Sequence, residues 1–142
     1  GNLMRISYNW LKEFVDIPKT PAELADVLSL FGHEVEGIEK MGDDSVLDFE
    51  ITPNRGDCLS ILGMSREISA LYNIKIKIPN VKINDDKIDK KIDIKIEKPE
   101  ICPRFTARII DNIKIGESPK WIQEKLATFG FRPINNIGDI TN

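Results

Sequence analysis

The chain of 142 residues carries one histidine, His33, and two cysteines, Cys58 and Cys102. One imidazole and two distant thiols do not make a standard zinc site, which takes four nitrogen or sulfur ligands at short spacings. Nucleophile–base chemistry would have to run through His33 or through carboxylates. His33 follows a glycine that ends a helix, where a polar residue is common, so a structural or solvated role is expected for it. A phosphate-binding loop is missing as well. Gly56 and Gly63 are too sparse for one, and no Gly-Lys-Ser/Thr occurs. No apolar run approaches the ~20 residues of a membrane span. The start lacks the basic and then apolar character of a secretory leader. Both thiols are therefore expected to be free, in a reducing cytoplasm. No internal repeat is evident, and the only compositional bias is the alternation of charge and isoleucine at 82–98.

What is present fits an ordinary folded protein. Apolar residues make up 41% and charged residues 30%, which excludes wholesale disorder and allows a core without staples. The net charge of −3 is uneven: residues 1–80 hold 8 basic and 13 acidic side chains, residues 81–142 hold 12 and 10. Phosphate contact needs concentrated Lys and Arg, so the front half reads as a poor independent nucleic-acid binder. Gly1, Asn2 and Leu3 precede Met4 and are set aside from the fold expectation as a cloning scar.

The periodicity predicts a first helix capped by Ser7, with Trp10, Leu11, Phe14 and Val15 inward and a stop at Pro18. Thr20-Pro21-x-Glu23 predicts a capping box and a second helix burying Leu24, Val27, Leu28 and Phe31, with Gly32 as left-handed cap. The period then changes to two. His33 to Lys40 and Val46 to Ile51 read as a hairpin around a polar turn at Met41 to Ser45, with Leu47, Phe49 and Ile51 on one face. Asp57 is expected to cap a third helix ending near Tyr72, with Ile61, Met64, Ile68, Leu71 and Tyr72 on its apolar side. Further on, Lys91–Glu97 and Arg104–Ile115 read as strands. Ser118-Pro119 opens a fourth helix that points Trp121, Ile122, Leu126 and Phe129 inward and closes at Gly130. Residues 130–142 are expected to lack a partner. The fold class is α+β: a winged-helix-like module (helix–helix–hairpin–helix) over 4–80, a charged linker and strand over 81–98, and the start of a second mixed α/β domain over 99–142.

Asn54-Arg55-Gly56-Asp57 is the best polar constellation. Arg55 can meet a phosphate or a partner carboxylate. Turn and cap roles already account for the residue types, so local pairing of Arg55 is the expected arrangement. Asp43-Asp44 and Asp85-Asp86 read as solvated turn residues. The aromatics sit at helix or strand periods and read as core. Arg104 and Arg108, with Lys120, Lys125 and Arg132, give the second half a modest basic cast. The possible RNA or partner contacts are Arg55, Arg104 and Arg108; no catalytic, cofactor-binding or metal-ligating residue is expected.

Several stretches resemble bacterial phenylalanyl-tRNA synthetase β subunits: Met4-Arg5-Ile6-Ser7-Tyr8-Asn9-Trp10-Leu11, Gly32-His33-Glu34-Val35-Glu36-Gly37, Thr52-Pro53-Asn54-Arg55-Gly56-Asp57-Cys58-Leu59-Ser60, Cys102-Pro103-Arg104-Phe105, and Arg132-Pro133-Ile134-Asn135-Asn136 through Asn142. The resemblance implies a cytoplasmic α2β2 ligase that joins phenylalanine to its tRNA with ATP and magnesium. In that complex the synthetic site belongs to the α subunit, and the β subunit supplies RNA contacts, assembly surfaces and an editing site. It implies a non-catalytic N-terminal piece with the α subunit, other β-subunit domains and tRNA as partners, no membrane, and no cofactor of its own. Two departures stand out. Family members carry an oligonucleotide-binding insertion between the hairpin strands, where only Met41 to Ser45 stands here. The family's editing pocket and magnesium-linked residues lie beyond the position of Asn142, so none is carried over, and the 99–142 stretch is expected to be a truncated editing-type domain. The alternative reading is a winged-helix DNA-binding or protein-docking module, with Arg55, Arg66 and Lys75 near the third helix.

Overall fold

The computed structural model describes residues 2–83 and 90–142. Asn2–Ser7 forms β1, whose Met4 and Ile6 alternate with Arg5 in the period-two pattern of a strand with one buried face. The chain turns at once into helix α1, Tyr8–Phe14. Ser7 is the hinge: its hydroxyl oxygen accepts from the Trp10 amide and its proton goes to the Asp44 carboxylate. Asp44 also accepts from the Asn9 amide, so it is no solvated turn residue but the tie between the hairpin and the first turn of α1. Helix α2, Pro21–Leu30, begins with the full capping box of Thr20 and Glu23. It ends in a Schellman arrangement: Gly32 adopts φ +91°, its amide reaches Ser29 O, and the His33 amide reaches Leu28 O.

Strands β2, Glu34–Met41, and β3, Asp44–Ile51, form the expected hairpin. They pair antiparallel up to Met41 opposite Asp44, so only Gly42 and Asp43 make the turn. Gly42 has φ +62°, a first central residue that glycine suits in a two-residue hairpin. Strand β1 pairs with the other edge of β3, giving the order β1-β3-β2. This corrects the sequence expectation twice. The opening strand was missed, and Asn2 and Leu3, two of the residues set aside as a scar, belong to the sheet, since Asn2 pairs with Ile51 and Leu3 with Glu50. The α+β class stands, with a strand ahead of the helix–helix–hairpin–helix order.

A short 3-10 turn at Gly56–Cys58 leads into helix α3, Ile61–Tyr72, whose cap is Ser60 and not Asp57. Ile6, Leu11, Leu24, Leu28, Leu47, Phe49, Ile51, Met64 and Ile68 are essentially inaccessible and form one cluster. Each such side chain contributes about 1.5–3 kcal/mol of apolar transfer. Phe31 is 64% exposed, because the Schellman turn carries it off the buried stripe of α2.

The chain divides into two units: residues up to Pro79 together with Gly116–Asn142, and Asn80–Ile115. Helix α4, Lys120–Thr128, packs in the first unit. Phe129 meets Trp10 edge to face at 5.4 Å, Lys125 pairs with Glu13 at 2.7 Å, and Arg5 Nε donates to Thr128 O at 3.1 Å. Trp121, expected inward, is 60% exposed. Helix α5, Asn136–Thr141, was not foreseen; its N-cap Asn135 accepts from the Ile137 and Gly138 amides. Residues 130–142 are not without partners. Buried Asp139 accepts from the Ser118 hydroxyl and the Ile134 amide, and the Asn136 amide reaches Gly116 O.

In the second unit neither Lys91–Glu97 nor Arg104–Ile115 is a strand. Alternation supplies a face, but a strand also needs a neighbour to complete its ladder, and neither stretch pairs with one among the described residues. Asp85-Asp86 lies outside the described residues. No helix among those described is long and apolar enough to cross a membrane.

Gly63 gives a direct test of this packing. A Cβ there would lie 1.8 Å from the Asp57 carbonyl oxygen, whereas a Cβ at Gly56 would meet nothing within 4 Å. Gly63→Ala is expected to lower the unfolding free energy in urea by about 3 kcal/mol. Gly56→Ala is expected to change it by less than about 0.5 kcal/mol.

Candidate functional site

The loop between β3 and α3 is built by its own backbone. The Arg55 amide bonds to Thr52 O, the Cys58 amide to Arg55 O and the Leu59 amide to Gly56 O. This winding brings Arg55, Asp57 and Cys58 together at the side of α3, where Glu67 stands between the buried Met64 and Ile68. His33 arrives from the other side, fixed by the Schellman turn that ends α2. It is 2% exposed, so its role is structural and not solvated.

Arg55 is the centre of the group. Its Nε and Nη2 grip Asp57 in a two-point contact at 3.0 and 2.8 Å. Nη2 also reaches Glu67 Oε1 at 2.7 Å and the Cys58 sulfur at 3.2 Å. Nη1 lies 3.4 Å from His33 Nε2, which in turn lies 3.0 Å from Glu67 Oε2. One cation thus meets two carboxylates, an imidazole and a thiol. The charges act on each other in the expected sense. Hydrogen bonds from Arg55 hold Asp57 well below the usual carboxylate range and lower Glu67, while Asp57 first and Glu67 next raise the arginine. Burial pushes the Cys58 thiol up to about 11, and its hydrogen bond to Asp57 adds to this.

Two chemical uses of this cluster can be weighed. Donor atoms of His33, Cys58 and Glu67 lie within 4.8 Å of one another, close enough to suggest a metal. A metal-binding cysteine must give up its proton, however, and burial, which raises this thiol to about 11, opposes that. The positive charge among the donors is already the Arg55 guanidinium, so the donor set fits an ion-pair network better than a metal. The second use is a Cys–His–Glu relay. It lacks the nucleophile–base bond, because the thiol donates to Asp57 at 3.4 Å, and Cys58 is wholly buried, out of reach of a substrate.

Of the candidate contacts, Arg55 lies in the first unit and Arg104 and Arg108 lie in the second. Both of the latter are exposed. No strand forms around them, so their even spacing does not place them on one face. Sequence reasoning missed Glu67 as the partner of Arg55. The signal available was its place beside Met64 and Ile68, an acidic residue at the margin of a buried stripe.

Because Glu67 is held below its ordinary value of 4.5, its contribution to stability is full above that pH. The contribution is lost as pH falls through the lower folded value. Glu67→Gln is expected to lower Tm at pH 7 by about 2–5 °C. It should also flatten the fall of Tm below pH 4.5; thermal unfolding followed by circular dichroism across pH 3–7 checks both.

The B3/4 domain family matches residues 101–142. The chain is 44% identical over 141 residues to the phenylalanine–tRNA ligase β subunit of Rhodopirellula baltica, covering 98% of this chain and 21% of that protein. The β subunit of Carboxydothermus hydrogenoformans is 41% identical over 111 residues, 78% of this chain and 14% of that one. The β subunit of Clostridium acetobutylicum is 46% identical over 103 residues, 70% and 13%. The chain spans at most about a fifth of the length of these relatives.

Proposed function

The chain is a homologue of phenylalanine–tRNA ligase β subunits over nearly its whole length, and from that premise we propose that it is a non-catalytic module serving assembly and tRNA-related roles in attaching phenylalanine to its tRNA. The observation that carries this reading is the similarity along 98% of the chain to a protein of that name. The ligation step, with its ATP and magnesium, is assigned to the synthetase α subunit in a cytoplasmic α2β2 complex. This module contributes surfaces to that subunit, to other β-subunit domains and to tRNA. The B3/4 match supports reading residues 99–142 as the beginning of the editing-type domain.

The polar loop supports a structural part. Arg55 is taken up by Asp57 and Glu67, so it positions the loop and is not offered to a phosphate. This weighs equally against a DNA-binding third helix, for which Arg55 was one of three cations. The RNA or partner contacts are assigned to Arg104 and Arg108. The hairpin turn of Gly42 and Asp43 leaves the oligonucleotide-binding insertion of the family without a counterpart. With an acidic excess of five over residues 1–80, the module by itself is expected to bind tRNA only at the ~10⁻⁴–10⁻⁶ M level of non-specific contact.

Three measurements on the purified chain test this. It is expected to be retained by an immobilised phenylalanine–tRNA ligase α subunit, to leave tyrosyl-tRNA hydrolysis at the buffer rate, and to show no preference for phenylalanine tRNA at near-physiological salt. A protein-dependent deacylation well above buffer overturns the non-catalytic reading. Failure to bind the α subunit, together with sub-micromolar tRNA affinity, replaces assembly with RNA recognition.

A further inference from the structure

The second unit holds one feature that the proposed function does not use. Lys91-Ile92-Asp93-Ile94-Lys95-Ile96-Glu97 alternates strictly, with charges on one side of an extended chain and isoleucine on the other. Ile92 is 55% and Ile94 43% exposed. No ladder engages the segment, and no ion pair among the described residues engages Lys91, Asp93, Lys95 or Glu97. Its backbone groups and apolar face are thus open to a strand partner, the condition that makes unpaired strands associate.

We propose that this segment pairs antiparallel with the same segment of a second copy, centred on Ile94. The charge order selects that arrangement. With Ile94 facing its own copy, Lys91 stands opposite Glu97 and Asp93 opposite Lys95, each twice, while Ile92 stands opposite Ile96. Sliding by two residues toward the start puts Lys91 opposite Lys95 and Asp93 opposite Asp93. Sliding by two toward the end puts Asp93 opposite Glu97 and Lys95 opposite Lys95. A slip of one residue sets charges against isoleucine, and parallel pairing in register sets every charge against its like. Of the antiparallel registers that keep five or more residues of each segment paired, this one alone sets every charge opposite its opposite.

The flanks end the ribbon at both sides. Lys90 is held by Asp111 at 2.6 Å, and Lys98 opens a turn closed by the Ile101 and Cys102 amides. An isolated two-stranded ribbon is marginal in water. Here Ile94 and Ile96 share a cavity of about 390 Å³ with Ile101 and Phe105, which gives the apolar face a floor. The pairing is weak, in the range of ~0.1–1 mM, because a short interface must offset the cost of association.

Cysteine cross-linking reads the register directly. Directly opposed residues of antiparallel strands have Cα atoms about 4.5–5.5 Å apart, within disulfide reach. In a Cys102→Ser background, Cys58 is the one native thiol left and it is buried. Ile94→Cys is expected to give at least ~10-fold more oxidised dimer than Ile92→Cys, since only position 94 faces itself. Adding Lys95→Asp should abolish the difference, and adding Asp93→Lys to that should restore it. Equal cross-linking at 92 and 94, or an Ile94→Cys dimer indifferent to Lys95→Asp, overturns the proposal. Neither result bears on the capture by the α subunit.

Discussion

The Arg55 guanidinium is the point at which three parts of the first unit depend on one charge. The loop after β3 is closed on it through Asp57, helix α3 through Glu67, and the junction of α2 and β2 through His33. Two of the groups around it, His33 and Cys58, are almost fully buried. Buried polar groups are stabilising only when their bonds are made, so removing the arginine would take one bond from His33 and one from Cys58 together and leave them only Glu67 and Asp57. That constraint sets the chemistry of the site. Burial first, and then its bond to Asp57, raise the Cys58 thiol, while the bonds to Asp57 and Glu67 keep the guanidinium engaged.

The apolar framework places this cluster. Sheet order β1-β3-β2 sets β3 in the centre, with Leu47, Phe49 and Ile51 facing Leu11 of α1, Leu24 and Leu28 of α2, and Met64 and Ile68 of α3. Asp44 and Ser7 fix the start of α1 against the hairpin. Residues from the end of the chain join the same unit through Trp10 and Phe129, Lys125 and Glu13, and the buried Asp139 that ties α5 to Ser118.

Local signals in the sequence were sufficient wherever the physics is local. The capping box at Thr20, the left-handed turns at Gly32 and Gly130, the hairpin and the inward set Leu47, Phe49 and Ile51 are decided within a few residues. Strand β1 escaped because its partner β3 is some forty residues away. The expected strands at 91–97 and 104–115 failed for the complementary reason: alternation describes one chain, and pairing requires two. At the site, the local pairing of Arg55 with Asp57 followed from turn chemistry. The contact with Glu67, twelve positions on, and the approach of His33 came only with the fold.

Arg55 acts within the molecule, bound to Glu67, and not on an external phosphate. A double-mutant cycle with Arg55→Gln and Glu67→Gln, read by urea unfolding at pH 7 and low salt, tests it most directly. If the two side chains act on each other, each single variant is less stable than wild type and the double variant loses less than the two single losses together. Additive losses, with Arg55→Gln as stable as wild type but weaker in binding tRNA, would contradict it and return Arg55 to the surface that meets RNA.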